Sequence, residues 1–331
     1  MSMMFRIAGA LMAAGLALPA HAETWRLSSM MTPDSFEGQT YQKFADLVDE
    51  YSNGDLTIKI YPNEQIGSMD SVVEQLSAGV IQLAPSAVGF MSRWEPGIKF
   101  AASPFLFDDY DHWARFIDGD LFQGWLNEVK DEAGISVLGD IPAMPRGSFR
   151  TLLTTKPIET ADDIKGLKIR QYQSDLMIDA WTYLGAEVRV LPWGEVYDGI
   201  NRGIVDAVTA PAESIESMRF YEVAPNIIRT DEYPQAVAFM MSEKAWEKLP
   251  EADQQALLRA HKEAAAYGRD LLAKQSATLK ADLEAHDGVN VNFEFDTAPL
   301  VAKMKDFYAE YDKEGKLPEG LLDAVDAARD K

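Results

Sequence analysis

One order of secondary structure, strand–helix–strand–helix–strand, is predicted twice along this chain of 331 residues. In the first half, apolar residues recur at helical spacing between alternating segments that include LTIKIYP and VIQLAP. In the second half, LKIRQ, EVRVLP and VDAVTAP are predicted strands, separated by helices that end at Gly185 and Gly203. Such alternation implies parallel sheets with right-handed crossovers, so we expect two similar α/β lobes.

The last third of the chain is mostly helical. From Pro250 to His286 the helical pattern is interrupted only by Gly268. Two interpretations remain open: two helices kinked at the glycine, or one helix of about 54 Å that spans both lobes. We predict a two-lobed α/β clamp of the periplasmic-binding-protein type. Lobe 1 comprises residues 23–147 with about 236–275, and lobe 2 comprises 148–235 with about 276–331.

The first 22 residues have the features of a secretory signal peptide. MSMMFRIAGALMAAGLALPAHA has one basic residue, Arg6, then a short apolar run, and it ends on an A-x-A cleavage site. No later stretch approaches the roughly 18 apolar residues of a membrane span. We therefore predict an exported protein, cleaved after Ala22.

Composition excludes several classes of function. A net charge of −22 argues against nucleic acid or an anionic membrane as partner, because both require a basic face. The chain has no cysteine, which excludes disulfides and thiolate metal sites. Common catalytic motifs are missing, His112 is assigned to a solvated acidic loop, and His261 and His286 to a surface helix. We predict a protein that is not an enzyme and has neither cofactor nor metal.

An arginine, Arg170, is predicted to be the last residue of its strand. In open parallel α/β sheets, ligands bind outside the carboxyl ends of the strands, and a guanidinium matches a carboxylate bidentately. A surface ion pair is the alternative role for this arginine in so acidic a chain. If the two lobes face each other, six strand ends line one cleft: Ser28–Met31, Tyr61–Asn63, Ala84–Ala87, Arg170–Gln171, Leu191–Trp193 and Thr209–Ala210.

Long stretches of the chain resemble one family. TTKPIETADDIKGLKIRQYQS, LGAEVRVLPWGEVYDGINRGIVDA, YPNEQIGSMDSVVEQLSAGVIQL and FAASPFLFDDYDHW closely resemble the substrate-binding proteins of TRAP transporters, the DctP/SiaP family. The resemblance covers almost the whole mature chain. It implies two lobes joined by crossing strands and one long helix. It also implies a periplasmic protein, expected to be a monomer, that delivers an organic acid to the small and large membrane subunits of a sodium-driven permease.

The resemblance also assigns site residues. It places the carboxylate-binding arginine at Arg170, a second ligand-facing arginine at Arg150 of GSFR, and the aromatic cover at Trp193. Ala210 stands where the family usually has asparagine. The remaining candidates for the cleft are Thr209, Met30, Ser86, Ala87, Phe90, Met69, Gln173 and Glu232.

The side chains at these positions predict the kind of ligand. Met30, Met69, Ala87 and Phe90 stand where sialic-acid-binding members have polar side chains. Leaving a buried hydroxyl unpaired costs about 1–3 kcal/mol, so we expect a compact, mostly apolar acid rather than a sugar acid. If Glu232 faces the cleft, a zwitterionic, amino-bearing ligand becomes the alternative. A binding protein of an ABC importer, or a receptor for a sensor kinase, is the alternative function, which neighbouring permease genes would distinguish.

Overall fold

The computed structural model describes residues 23–329, so the predicted signal peptide lies outside the described residues. The strands are β1 (Glu23–Ser28), β2 (Leu56–Tyr61), β3 (Leu83–Ser86), β4 (Ile135–Leu138), β5 (Arg150–Thr154), β6 (Lys168–Gln171), β7 (Glu187–Val190), β8 (Ala207–Pro211), β9 (Asn226–Arg229), β10 (Ala238–Ser242) and β11 (Asn290–Asn292). The helices are α1 (Phe36–Tyr51), α2 (Met69–Ser77), α3 (Tyr110–Ile117), α4 (Asp120–Ala133), α5 (Asp175–Tyr183), α6 (Val196–Asn201), α7 (Ser214–Ser217), α8 (Glu243–Trp246), α9 (Glu251–Glu284), α10 (Ala298–Lys313) and α11 (Leu321–Arg329).

Two sheets form the centres of the two lobes. Lobe 1 contains a five-stranded sheet in the order β2-β1-β3-β10-β4, and lobe 2 a six-stranded sheet in the order β11-β9-β5-β8-β6-β7. The strands β2-β1-β3 and β7-β6-β8 are parallel, as the two predicted units require. The antiparallel strands β10 and β5 complete the sheets. The predicted two-lobed α/β fold is confirmed.

Between β1 and β11 the chain crosses from one sheet to the other three times. Two of these connections are neighbouring segments, residues 139–149 and 230–237, which we call the crossing segments, and the third contains α9. The crossing segments run antiparallel, with a bridge between Pro145 and Ala236. The amide of Arg146 donates to the carbonyl of Gln235 at 2.8 Å, and the amide of Val237 donates to the carbonyl of Met144 at 2.9 Å. These pairings fix the connection at the point where one lobe meets the other.

The long C-terminal pattern forms one helix. Helix α9 is continuous over 34 residues, about 51 Å at 1.5 Å per residue, so the interpretation of two kinked helices is wrong. Gly268 allows close packing instead of breaking the helix, because a Cβ at this position would lie 2.7 Å from Thr40 Oγ1 in α1. Among residues 23–329, no helix combines the length and the apolar character needed to cross a bilayer.

The last two helices attach to different parts of the molecule. In α10, the hydroxyl of Tyr311 donates to Asp179 of α5 at 2.6 Å, which holds α10 on lobe 2. Helix α11 packs on α3, where the His112 ring bonds the carbonyl of Val325 through Nε2 at 2.8 Å. Helix α3 belongs to the predicted lobe 1, so α11 crosses the predicted lobe boundary.

Two expectations about histidines are wrong. His112 is buried in a helix rather than placed in a solvated loop, and its Nδ1 accepts a hydrogen bond from the amide of Asp108 at 3.1 Å. His261 is only 3% exposed, because α9 turns it toward the ring of Phe239, 5.0 Å away. Both imidazoles serve packing.

Replacing Gly268 with alanine should destabilise the protein by about 1–3 kcal/mol, because the new Cβ would overlap Thr40 in a packed interface. Gly124 in α4 supplies the matched control, since a Cβ there meets no atom within 4 Å. Gly124→Ala should raise stability by up to about 1 kcal/mol. Urea unfolding measures both changes. Equal stabilisation by the two substitutions would contradict the close approach of α9 to α1.

His261 should make the stability of the protein depend on pH. Burial lowers the pKa of His261 to about 4, whereas an unfolded chain binds this proton below about 6.5. Its contribution to stability is therefore complete above the unfolded pKa and is lost as the pH falls toward 4, by about 3 kcal/mol. Unfolding of wild type and His261→Gln between pH 7 and pH 4 should give a shallower slope for the variant. Parallel curves would mean that His261 is protonated in the folded protein.

Candidate functional site

A small cavity of about 50 Å³ lies between the two lobes. It has room for a few water molecules only, so a larger ligand can enter only when the lobes move apart. Lobe 1, lobe 2 and the crossing segments all contribute to its wall. The lining residues are Met30, Ala87, Phe90, Arg146, Arg150, Arg170, Gln171, Tyr172, Trp193, Thr209, Pro211, Tyr233 and Gln235.

Arg170 lies at the carboxyl end of β6, one residue before the strand ends at Gln171 rather than as its last residue. Its Nε donates to the carbonyl of Leu191 at 2.9 Å, and its guanidinium lies 5.4 Å from the centre of the Trp193 ring. Within residues 23–329 its two terminal nitrogens have no hydrogen-bond partner, and no acid lies within ion-pair distance. Burial lowers the pKa of Arg170 to about 10. An anion beside it would relieve this cost.

Arg150 begins β5, directly after the first crossing segment. Its Nη2 donates to Thr209 Oγ1 at 3.2 Å and to Glu232 Oε1 at 3.1 Å, and its guanidinium lies 4.5 Å from the centre of the Tyr233 ring. Glu232 is fully buried behind Arg150 and does not line the cavity. Burial raises the pKa of Glu232, although the charge of Arg150 opposes the shift. Arg150 therefore lines the cavity with its charge already balanced.

Arg146, on the first crossing segment, is a third buried arginine that sequence reasoning missed. Its Nε donates to Glu37 Oε1 at 3.2 Å, and its Nη2 lies 3.1 Å from Met30 Sδ. Burial disfavours the charge, but Glu37 together with Tyr41 and Tyr233 outweighs that effect, so the pKa of Arg146 is raised. The signal was present in MPRGSFR, where two arginines flank the predicted lobe boundary. The sequence did not predict that the crossing segments pair, so it could not predict that Arg146 lies in the cleft.

Several lining residues offer polar atoms that the sequence analysis did not expect. Gln171, Tyr172, Tyr233 and Gln235 lie in the wall of the cavity. Gln171 Nε2, Trp193 Nε1 and Arg150 Nε are buried, and in the described part of the chain none of these three nitrogens has a partner. All three are hydrogen-bond donors. The wall is therefore suited to oxygen acceptors.

Lobe 1 covers the cavity with apolar side chains. Met30 follows the end of β1, and Ala87 and Phe90 follow the end of β3. The ring of Phe90 lies 5.7 Å from the ring of Tyr172 on lobe 2. At the rim, a carboxylate oxygen of Glu64 accepts a hydrogen bond from the amide of Gly194 at 3.0 Å. These contacts join the two lobes across the cleft.

The candidate residues divide into two groups. Seven line the cavity: Arg170, Arg150, Trp193, Thr209, Met30, Ala87 and Phe90. Five do not: Ser86, Met69, Ala210, Gln173 and Glu232. Ala210 points to the opposite face of β8 from Thr209 and Pro211, because side chains alternate along a strand. Met69 packs into the core through α2, Gln173 is exposed beyond the end of β6, and Ser86 lies behind Arg146. The strand end Tyr61–Asn63 also lies outside the cavity.

The described chain offers no competing metal site. No group of three or more histidine or acidic side chains in residues 23–329 is placed to hold a metal ion. The cavity wall contains no histidine. The lining is therefore suited to bind an anion, and Arg170 is the cation of the wall that has no acid beside it.

Comparison with known proteins gives a consistent result. Residues 27–314 match the family described as bacterial extracellular solute-binding protein, family 7. A solute-binding protein of Sulfitobacter sp. (strain NAS-14.1) is 32% identical over 310 residues, 92% of each chain. The ectoine-binding periplasmic protein TeaA of Halomonas elongata is 30% identical over 251 residues, 75% of this chain and 71% of TeaA.

The fold also matches solved structures. One is the TRAP periplasmic solute-binding protein of Sulfurospirillum deleyianum DSM 6946 with bound succinate, at a TM-score of 0.83 and 25% identity. The similarity covers 92% of this chain and 98% of that one.

Proposed function

Because the chain belongs to family 7 of the bacterial extracellular solute-binding proteins, we propose that it captures a small organic acid between its lobes and delivers it to a TRAP permease. The permease has a small and a large membrane subunit. Export requires the removal of residues 1–22, with cleavage after Ala22. The protein binds and releases its ligand without changing it chemically, and it uses no cofactor.

Arg170 is the observation that carries this proposal. It is 6% exposed, its terminal nitrogens have no partner among residues 23–329, and no acid there lies within ion-pair distance of it. A buried charge without a partner costs several kcal/mol, so a guanidinium in this state favours an anionic ligand strongly. Its planar fork fits the two oxygens of a carboxylate. Trp193 covers one side, and Arg150 adds a second guanidinium contact, whose charge Glu232 balances.

The shape of the ligand follows from the two unlike walls of the cavity. Lobe 2 and the crossing segments present donors, whereas lobe 1 presents Met30, Ala87 and Phe90. The ligand therefore has its carboxylate, and further oxygen acceptors near it, on the side of lobe 2. Its opposite side is apolar and compact. The polar wall near Arg170 modifies the expectation of a mostly apolar ligand.

A zwitterionic ligand is the second candidate, because TeaA, named for ectoine, is similar to this chain. The amino group of such a ligand needs an acidic partner in the cavity. Among residues 23–329 none of the lining side chains is acidic, and Glu232 already pairs with Arg150. The residues of the cavity thus favour a simple acid over a zwitterion.

Two measurements test the proposal directly. Mass spectrometry of whatever copurifies with the protein, followed by a thermal-shift screen of organic acids, identifies the ligand. Genes for the two permease subunits beside this gene support delivery to a TRAP permease, whereas genes for an ATPase or a sensor kinase support the alternatives. A screen in which no acid raises the melting temperature contradicts the proposed function.

Removal of the Arg170 fork should abolish most of the binding. Arg170→Ala should weaken the affinity for the identified acid by about 2–5 kcal/mol, roughly 30-fold to several thousand-fold. Arg170→Lys should also bind poorly, because lysine retains the charge but not the bidentate geometry. Isothermal titration calorimetry measures the affinities.

The control for Arg170 is Arg189→Ala. Arg189 lies opposite Arg170 in the register of β6 and β7, but its side chain is half-exposed. This variant should bind like wild type. Neither Arg170 variant should lower the melting temperature of the ligand-free protein, because the arginine contributes only the Nε bond to Leu191 and the contact with the Trp193 ring, while its buried charge is costly. Normal binding by Arg170→Ala would show that this arginine does not anchor the ligand.

Sugar acids with many hydroxyls should bind weakly. Lobe 1 meets the ligand with Met30, Ala87 and Phe90, which cannot pair buried hydroxyls, and each unpaired hydroxyl costs about 1–3 kcal/mol. Calorimetry with sialic acid and hexuronates should give dissociation constants weaker than about 1 μM, or −8 kcal/mol. Tighter binding of any of these acids would show that the apolar wall does not select against them.

A further inference from the structure

The cavity wall contains a fixed number of charges. Three guanidinium groups line it, those of Arg146, Arg150 and Arg170. Two have their own acid: Arg146 pairs with Glu37 at 3.2 Å and Arg150 with Glu232 at 3.1 Å. Glu37 is 1% exposed and Glu232 is fully buried, so neither acid is shared with solvent. With both pairs ionised, Arg170 is the one guanidinium of the wall that has no acid within 4 Å among residues 23–329, and Glu64, which does not line the cavity, acts on it only from a greater distance.

The unpaired positive charge of Arg170 limits the charge of the ligand. One carboxylate on Arg170 leaves the closed cleft neutral. A second carboxylate would be enclosed with Arg146 and Arg150 already balanced, and an uncompensated charge in a closed cleft costs several kcal/mol. The arrangement thus discriminates between acids by the number of their carboxylates.

Glu232 differs from Glu37 in its surroundings. Glu37 accepts hydrogen bonds from Arg146 and from the hydroxyl of Tyr41, at 3.2 and 2.7 Å, so both of its oxygens are used within lobe 1. Glu232 uses one oxygen for Arg150, and its Oε2 has no partner among the described residues. Glu232 lies on the second crossing segment, behind Arg150. Arg150 and Arg170 both line the cavity. The carboxylate of Glu232 decides whether Arg150 is balanced or available to the ligand.

We propose that Glu232 restricts the ligand to acids with a single carboxylate by neutralising Arg150, which leaves Arg170 as the only uncompensated cation of the cleft. This inference rests on the proposed function, the capture of a small acid. Glu232 acts through Arg150 and does not touch the ligand, so it is a positioning residue. Loss of its charge should create a second carboxylate site at Arg150.

The test compares acids of one skeleton that differ in charge. Malonate, succinate, glutarate and adipate are each paired with their monoamide, and the acid found by copurification is added to the set. Wild type and Glu232→Gln are screened by thermal shift, and the acids that stabilise either protein are titrated by calorimetry. In wild type the monoamide should bind better than the dicarboxylate. Glu232→Gln should shift the ratio of the two affinities toward the dicarboxylate by about tenfold or more.

Two further variants separate charge from structure. Glu213→Gln neutralises another buried acid of lobe 2, which bonds Ser148 and pairs with no arginine, and it should keep the wild-type ratio. The double variant Arg150→Gln, Glu232→Gln removes both members of the pair and should restore the preference for one carboxylate. A purely structural defect would weaken both acids of a pair together and leave their ratio unchanged.

Each outcome bears on one statement. Dicarboxylates that bind wild type as tightly as their monoamides overturn the inference and leave the proposed function intact. An unchanged ratio in Glu232→Gln, or a double variant that still prefers dicarboxylates, removes Glu232 from the selection. If Glu232→Gln does not fold, the inference is tested by the ratio of the monoamide and dicarboxylate affinities in wild type and in the double variant. A wild type that no acid stabilises overturns the proposed function itself.

Discussion

The backbone pairing of the two crossing segments is the constraint on which the two lobes depend. The bonds from the Arg146 amide to the Gln235 carbonyl and from the Val237 amide to the Met144 carbonyl hold the two segments side by side. They exchange strands between the sheets, because β10 completes the sheet of lobe 1 and β5 that of lobe 2. The cleft must therefore open and close about this place. The same segments supply Arg146, Tyr233 and Gln235 to the cavity wall.

The buried arginines near the crossing segments differ in whether an acid offsets the free-energy cost of burying their charge. A buried guanidinium is tolerated when an acid and further hydrogen bonds satisfy it, which describes Arg146 with Glu37 and Arg150 with Glu232. Arg170 departs from this rule, since burial lowers its pKa to about 10, no acid of the described chain pairs with it within 4 Å, and Glu64 opposes the shift only in part. A group that is poorly satisfied in the folded protein is a natural place for a ligand.

The two walls of the cleft have different tasks in such a clamp. Lobe 2 provides the ends of parallel strands, and Arg170, Gln171 and Thr209 of these strands line the cavity. Lobe 1 provides Phe90 and its apolar neighbours, which exclude water when the lobes meet. Exclusion of water strengthens the interaction between a guanidinium and a carboxylate, because the local dielectric constant falls. Closure and binding therefore reinforce each other.

The sequence by itself determined the two α/β units and the position of Arg170 near a strand end, because hydrophobic periodicity and strand ends are local patterns. The choice of Arg150 and Trp193 followed from the resemblance to the substrate-binding proteins of TRAP transporters. The placement of Arg146, Tyr233 and Gln235 was decided only by the tertiary structure, since two segments about 90 residues apart must first pair. The continuity of α9 through Gly268 also became visible only in the tertiary structure, where the glycine packs closely against Thr40. Glu232 could be named from the sequence as a candidate for the cleft. Its position behind Arg150 depends on long-range packing, which no local pattern encodes.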